Sequence, residues 1–367
     1  PACFRLRQVL NNWEGFRVAE QQKNGLAIDL VERGLVPDFL VRRGMRRMLR
    51  SRLRHEESGS EQQRAERTAK FIESCRSGPI ALQTDKANEQ HYEVPAALFE
   101  RVLGRHLKYS GCHWGPDCHT LDDAEASALA ISCERAELDN GQRILELGCG
   151  WGSLALWMAE HYPGSEITAV SNSASQREFI EGKARERVLG NLQVVTADIN
   201  EFSTGGSFDR VVSIEMFEHM RNYQELLSRI AGWLTPGGKL FVHIFCHRRT
   251  PYAFETEGAA NWMGRYFFSG GTMPSDDLFS HFQDDLNLKQ SWRWNGHHYG
   301  RTSNAWLAKL DAARSELLPV FEATYGAADA NRWINRWRMF FMACAELFDF
   351  HNGDEWWVSH YLFEKPV

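Results

Sequence analysis

Arg143-Ile-Leu-Glu-Leu-Gly-Cys-Gly-Trp-Gly152 is the stretch that decides the fold. Its first half, Arg143–Leu147, reads as a short buried strand, and three glycines follow at alternate positions before a helix that runs through Ala159. Strand, glycine turn, helix is the opening of a doubly wound α/β sheet, where ligands bind outside the carboxyl ends of the strands. Glycine at 148, 150 and 152 lets the backbone approach a ligand closely, and the Glu146 carboxylate is placed to orient a cationic amino group. The spacing is Gly-x-Gly-x-Gly, which differs from the Gly-x-Gly-x-x-Gly of dinucleotide enzymes.

Working downstream, short β-branched runs alternate with helices, as a parallel sheet requires. Strands are predicted at 166–170, 192–195, 208–214 and 239–243, with Thr235-Pro-Gly-Gly238 as the turn before the fifth. Three further elements lie where a nucleoside would need them. Ser171-Asn172-Ser-Ala-Ser-Gln176 follows the second strand, on the ribose side. Asp198 and Ile199 follow the third, offering a carboxylate for an exocyclic amine and an apolar flank for a base. Glu215 ends the fourth, beneath the ligand.

Beyond Cys246 the alternation breaks down. Residues 248–367 hold 24 of the 44 aromatic residues in 120 of 367 positions, an enrichment that points to a cap wrapped over the substrate site. Its segments are placed at about 248–285 and 303–350, and the last two strands at 286–294 and 356–363. Upstream, residues 1–85 read as a charged helical region, leaving 86–367 as the catalytic domain. In Val41–Arg54, apolar residues at helical spacing are surrounded by seven arginines. Such a helix either touches an anionic surface or packs on the catalytic domain with its arginines solvated; packing is the expectation. Glu56–Arg67 reads as a polar hinge.

Composition narrows the classes. The chain is 43% hydrophobic and 25% charged, enough for a large core. Its apolar stretches are too short and too interrupted to span a bilayer, and its first residues lack the apolar block of a secretory signal. Eight scattered cysteines fit reduced thiols in a cytoplasmic enzyme. The net charge of −6 argues against general nucleic-acid binding. A homodimer is left open. Cys112-His113 and Cys118-His119 match no common zinc spacing, so no metal is expected.

Several motifs then make the chain similar to a known group. These are Gln90-His-Tyr92-Glu93-Val-Pro95, Thr120-Leu-Asp-Asp-Ala-Glu125, Cys133-Glu-Arg-Ala136 and Asn172-Ser-Ala-Ser-Gln176-Arg-Glu-Phe-Ile180. Phe217-Glu218-His219-Met-Arg-Asn-Tyr223, Arg301-Thr302 and Gly353-Asp-Glu-Trp-Trp-Val-Ser-His360-Tyr-Leu-Phe363 complete the set. Over nearly the whole chain from residue 30, it resembles the cyclopropane-fatty-acid-synthase-like methyltransferases, and within them the coclaurine/pavine N-methyltransferase branch. The resemblance implies a Rossmann-like class I methyltransferase sheet and S-adenosyl-L-methionine as cofactor. It implies cofactor contacts by Tyr109, Ser110, Gly148, Asn172, Gln176, Asp198 and Ile199, beside Gly150 and Gly152 of the glycine turn. It also implies a reaction centre lined by Glu215, Glu218 and His219.

Tyr92, Glu93, His243, Trp262 and Tyr299 are assigned to the substrate or to an anion. His243 and Tyr299 look like the lipid cyclopropane synthases, which hold a bicarbonate base with a Cys, a Glu, a His and a Tyr. Glu218, His243 and Tyr299 match that set, while Gly111 stands in place of the Cys and Cys112 follows it.

A sulfonium methyl is already activated, so such an enzyme aligns the acceptor and excludes water. An amine must reach it neutral, and Glu218 and His219 suit that task as a carboxylate to hold the nitrogen and an imidazole to accept a proton. An alkene would pass through a carbocation, which Trp262, Trp292, Trp294 or Tyr299 could face. The expected function is N-methylation of a small hydrophobic or aromatic amine. The alternative is methyl or methylene transfer to unsaturated acyl chains of phospholipids at a membrane surface.

Overall fold

The computed structural model describes residues 25–82, 95–258 and 261–367. Tyr92, Glu93 and most of their motif lie outside the described residues. Seven strands form one sheet in the order β3-β2-β1-β4-β5-β9-β8. They are β1 (Arg143–Leu147), β2 (Glu166–Ser171), β3 (Leu192–Thr196), β4 (Phe208–Ile214), β5 (Leu234–His247), β8 (Asn287–Trp294) and β9 (Trp356–Glu364). The first five pair in parallel, while β9 runs antiparallel to both β5 and β8.

The period of two along each strand decides which helices cover which face. Ile144, Val212, Phe241 and Leu362 point to one side and pack on the Leu121–Arg135 and Ser153–His161 helices. Leu145, Val211, Leu240 and Phe363 point to the other and pack on the Tyr223–Trp233 helix. Helices therefore cover both faces, as near-continuous apolar strands demand. Side-chain caps start the main helices. Thr120 and Asp123 form a capping box at Leu121, Ser173 caps Ala174, and Asn222 caps Tyr223.

Two elements differ from the sequence reading. Thr235–Gly238 is a bulge inside β5, where the pairing with β4 jumps from Phe208↔Leu234 to Arg210↔Lys239. Glu56–Arg67 is not a hinge. The basic helix runs through Glu56, and Ser60 with Gln63 closes a capping box that starts the Glu61–Ser74 helix. Local hydrogen bonding, with Arg64 and Arg67 donating to carbonyls at 56–59, orders a stretch whose polarity suggests mobility.

The cap comes from two insertions. Residues 248–286 carry a two-stranded ribbon, β6 (Tyr252–Ala253) with β7 (Thr272–Met273), and the Trp262–Tyr266 helix. Between β8 and β9 lie the helices His297–Ala312, Arg314–Tyr325 and Ala330–Phe348. The first of these begins before residue 303, which places Tyr299 on a cap helix.

The basic helix Asp38–Glu56 packs on Ala330–Phe348. Val41 and Leu53 are buried in the cap core, with Met45 and Leu49 against it; Met48 is exposed. Arg42 and Arg46 hold the two oxygens of Glu346 at 3.0 and 2.6 Å, whereas Arg43, Arg47, Arg50 and Arg54 face solvent. A deeper clamp joins the preceding Leu26–Glu32 helix. Glu32, fully buried, accepts from Arg336 at 3.1 Å, Arg332 at 3.2 Å and the Trp262 indole at 2.9 Å. Removing one member of a buried ion pair strands the other charge. Glu32→Ala is expected to destabilise the protein by about 3–5 kcal/mol, read from denaturant unfolding, and a loss below about 1 kcal/mol, the size of a surface pair, would contradict this clamp.

Candidate active site

Two connected cavities open at the carboxyl ends of β1, β2 and β4. The first, about 700 Å³, is lined by Gly148, Gly150, Ser171, Asn172, Gln176, Asp198 and Ile199 among others. The second, about 990 Å³, is lined by Tyr109, Ser110, Glu146, Glu215, Glu218, His219 and Tyr299, with Trp151, Phe268, Trp306 and Phe340 as aromatic walls. Gly148, Gly150, Gln176, Met216 and His219 border both, so the two meet at the glycine turn.

The glycines divide their work. All three have positive φ. A side chain on Gly150 would meet no atom within 4 Å and would project into the open space. A Cβ on Gly148 would lie 2.7 Å from Met216, and one on Gly152 only 2.6 Å from Ile180. Gly152 lines neither cavity. It allows the Ser153–His161 and Ala174–Glu186 helices to approach each other, a packing role instead of the expected cofactor contact.

The first cavity is held by local polar bonds. Ser171 donates to Gln176 Oε1 at 2.7 Å, and Ser171 accepts from the Ser173 amide. Asp198 accepts from the Asn200 amide, and the Asn200 side chain exchanges two bonds with Ala81, which carries the 75–82 segment to the cavity rim.

In the second cavity Glu215 is the junction. Its φ of +47° is unusual for a residue with a Cβ. The turn ends β4 and sends the chain into the 3-10 turn Phe217–His219, bringing Glu218 and His219 to the cavity. Three groups contact the Glu215 carboxylate: the Tyr299 hydroxyl donates at 2.7 Å, the Gly111 amide donates at 2.8 Å, and His243 Nε2 lies at 3.3 Å. Burial raises the pKa of Glu215, while Lys108 and the hydrogen bonds from Gly111 and Tyr299 oppose the rise. Lys108, itself buried, donates to Ser110 and to the Gly111 carbonyl.

Two residues assigned to the substrate or an anion, His243 and Tyr299, bond a side chain of the protein. His243, Tyr299 and the Gly111 amide converge on the side chain of Glu215. His243 lies behind that carboxylate and lines neither cavity. Gly111 is required here because a Cβ would come within 2.9 Å of the Tyr299 ring. Cys112 does not replace the missing Cys. Its amide bonds Thr302, its thiol donates to the Ser110 carbonyl, and burial pushes its pKa up.

Glu218 is fully buried, with Oε2 lacking a hydrogen-bond partner among the described residues. Burial, and then the charge of Glu215, push its pKa well up. His219 stacks on Phe268 at 5.8 Å. Glu146 on β1 is buried too, its Oε2 equally unpartnered among the described residues and its pKa raised by burial to about 8. Ser153 Oγ completes this set of orphaned polar atoms on the wall.

Trp262 does not reach either cavity: its indole is committed to Glu32 and its ring to Tyr266 and Phe267. Trp292 and Trp294 also lie elsewhere, stacked by Arg135. No group of acidic, His and Cys side chains with metal-site geometry occurs among the described residues.

Lys108 gave no signal in the sequence, standing as one charge among others in Arg105-His106-Leu107-Lys108-Tyr109-Ser110. Sequence reasoning also left Glu125 without a role. That buried carboxylate accepts from the amides of Gly104, His106 and Lys108, which shapes the loop carrying Tyr109 and Ser110.

A glycine turn whose open side faces a buried, unsatisfied carboxylate, followed by a polar ribose side and an Asp-Ile base side, defines a class I S-adenosylmethionine-dependent methyltransferase. The chain belongs to the mycolic acid cyclopropane synthetase family, whose pattern matches residues 81–356. It is 38% identical to (S)-coclaurine N-methyltransferase of Thalictrum flavum subsp. glaucum over 359 residues, 96% of this chain and 99% of that protein. With (S)-coclaurine N-methyltransferase of Papaver somniferum it shares 34% over 338 residues, 91% of this chain and 96% of that one. Its fold superposes with a TM-score of 0.89 on a crystal structure of coclaurine N-methyltransferase bound to N-methylheliamine and S-adenosylhomocysteine. That pair is 37% identical and covers 92% of this chain and 99% of the other. The protein is an enzyme of this class, and its cofactor is S-adenosyl-L-methionine.

Two outcomes are expected for cofactor binding. Gly150→Val should leave the sheet folded and abolish affinity for S-adenosylhomocysteine, because the side chain enters the cavity; calorimetry showing unchanged affinity in a folded variant would sink the assignment. With its pKa at about 8, Glu146 is mostly protonated at neutral pH in the empty pocket. A ligand ammonium favours the ionised carboxylate, so binding should release roughly one proton and tighten as pH rises from neutral toward about 8. Calorimetry in buffers of different ionisation enthalpy measures that proton, and Glu146→Gln should lose it; an undiminished release in the variant would point to another group.

Proposed function

We propose that the protein transfers the methyl group of S-adenosylmethionine to the nitrogen of a small, hydrophobic, aromatic amine. The observation that carries this reading is the buried Glu218 carboxyl, with one oxygen unpartnered among the described residues, facing a cavity walled by Tyr109, Phe268, Trp306 and Phe340. A buried carboxyl costs free energy unless it finds a partner, and an amine among aromatic faces supplies one. Glycine turn and Glu146 would hold the cofactor, which when bound supplies an activated methyl on sulfur.

The residues of the chain then have distinct tasks. Glu218 accepts a hydrogen bond from the amine, keeping the nitrogen at the junction of the two cavities. Burial raises the proton affinity of Glu218, an arriving ammonium favours its ionised form, and the carboxylate is then placed to take the proton an acceptor must lose. His219, oriented by Phe268, offers a second acceptor at the same junction. Glu215 is already held by Tyr299, Gly111 and His243, so its carboxyl stays in place beside the ammonium product without moving. Phe268, Trp306 and Phe340 exclude water from the apolar part of the acceptor.

The features that favoured acyl-chain transfer have other partners. His243 and Tyr299 hold Glu215, and three of the seven arginines of the basic helix are engaged against the cap, Arg52 over the ring of Tyr252. No described helix is long and apolar enough to cross a membrane.

A methyl-transfer screen offering aryl amines beside vesicles of unsaturated phosphatidylglycerol tests the reading. Transfer to amines and none to vesicles is expected; vesicle-dependent transfer alone would overturn it. Glu218→Ala should lower turnover by roughly 100-fold, the scale of a lost acid/base group, with cofactor affinity within about twofold of the parent. Near-normal turnover would move the chemistry to another residue.

A further inference from the structure

Behind Glu215 runs a line of polar side chains that touches neither cavity. Arg135 Nη1 lies 2.9 Å from His360 Nδ1. His360 Nε2 lies 2.9 Å from His243 Nδ1, and His243 Nε2 lies 3.3 Å from Glu215 Oε1. The four residues come from the end of the Leu121–Arg135 helix, β9, β5 and the turn after β4. His243 and His360 are register partners in the antiparallel β5–β9 pair, on the face covered by that helix.

The direction of every proton follows from one end. A guanidinium donates and cannot accept, so His360 Nδ1 is an acceptor and a neutral ring carries its proton on Nε2. That proton points at His243 Nδ1, which must accept, leaving the His243 proton on Nε2 and aimed at the Glu215 carboxylate. Protonating either ring would set two hydrogens against each other in one contact. Both rings are completely buried, and burial together with the neighbouring cations Lys108 and Arg135 lowers their pKa well below the usual range. Arg135 is itself fixed between Trp292 at 5.1 Å and Trp294 at 5.6 Å, and Trp294 packs on His360 at 4.3 Å. The reading explains why an arginine ends this helix and why a histidine lies in the middle of β9, two features the cofactor and acceptor sites do not use.

We propose that Arg135 and His360 are positioning residues that impose a single tautomer on His243 and so hold the Glu215 carboxylate in its reactive orientation. This rests on Glu215 belonging to the reaction centre of the amine methyltransferase argued above. The tautomer itself is measured without any acceptor, so the two readings fail separately.

Nitrogen-15 NMR of the imidazoles in the full-length protein is expected to show His243 and His360 each protonated only at Nε2. His360→Leu removes the donor to His243 Nδ1. It should convert His243 to a tautomer mixture and lower kcat about tenfold, the lower end of the effect of outer partners that orient an imidazole, with KM for both substrates within about twofold. His360→Gln can accept from Arg135 and donate to His243, so it should restore kcat to within about threefold of the parent. If His360→Leu fails to fold, Arg135→Leu, which frees His360 Nδ1, should produce the same tautomer mixture. A His243 proton on Nδ1 in the parent protein would overturn the proposal. So would an unchanged kcat and tautomer in His360→Leu, or a loss in His360→Gln as large as in His360→Leu. A parent protein that methylates no amine, yet shows the single tautomer and its loss in the variants, would sink the acceptor reading and leave the relay standing.

Discussion

The grip on the Glu215 carboxylate is the constraint on which the rest of the site depends. A buried carboxylate is tolerated only when its lone pairs are filled, and here the donors come from three segments far apart in the chain. Gly111 lies in the loop before the catalytic sheet, His243 in the middle of β5, and Tyr299 on the first cap helix. Satisfying one side chain thus requires that loop, sheet and cap be assembled together. The left-handed turn at Glu215 is part of the same bargain: the strain is held by the bonds on either side, and it turns Glu218 and His219 into the cavity. Polar groups fixed in this way need no rearrangement when charge develops beside them, which is where such a site draws its advantage over water.

The cap over the second cavity is anchored by a second buried charge. Glu32 draws Arg332, Arg336 and Trp262 onto one carboxylate, so the N-terminal helices are built into the cap instead of standing apart from it. Arg336 is further sandwiched by Tyr266 and Trp333 at 4.2 and 4.7 Å. Many of the aromatic residues concentrated in the C-terminal third are spent on this framework. Only a few, Phe268, Trp306 and Phe340 among them, reach the cavity, and their wall positions follow from the helices to which they belong.

His243 and Tyr299 take their role from a third residue. Three donors suited to a free anion are present, yet an internal carboxylate fills their focus, and Gly111 leaves room for the Tyr299 ring that closes it. Read one at a time, His243 and Tyr299 suggest a bound anion; in the fold both bond Glu215. The same context reassigns Gly152 and Trp262, which have the right residue types for a ligand but are used for packing.

What the sequence determined by itself was local in origin, though not all that is local was legible: the Ser60–Gln63 capping box lay in a stretch whose polarity read as a hinge. Short β-branched runs alternating with helices marked the strands of the sheet, and the glycine turn with the segments after strands two, three and four marked the nucleoside side, because in a doubly wound sheet those segments converge by topology alone. The motifs at 172–180 and 217–223 likewise carried their cavity residues in one piece. What only the tertiary structure decided was every role set by a partner distant in the chain: Lys108 beneath Glu215, Glu125 under the 104–111 loop, and the Arg135–His360–His243 line. A charged or imidazole side chain has the same appearance in a sequence whether it faces water or a buried partner. Its pKa, tautomer and task are fixed by desolvation and by donors and acceptors within about 3 Å, and those neighbours exist only once the chain has folded.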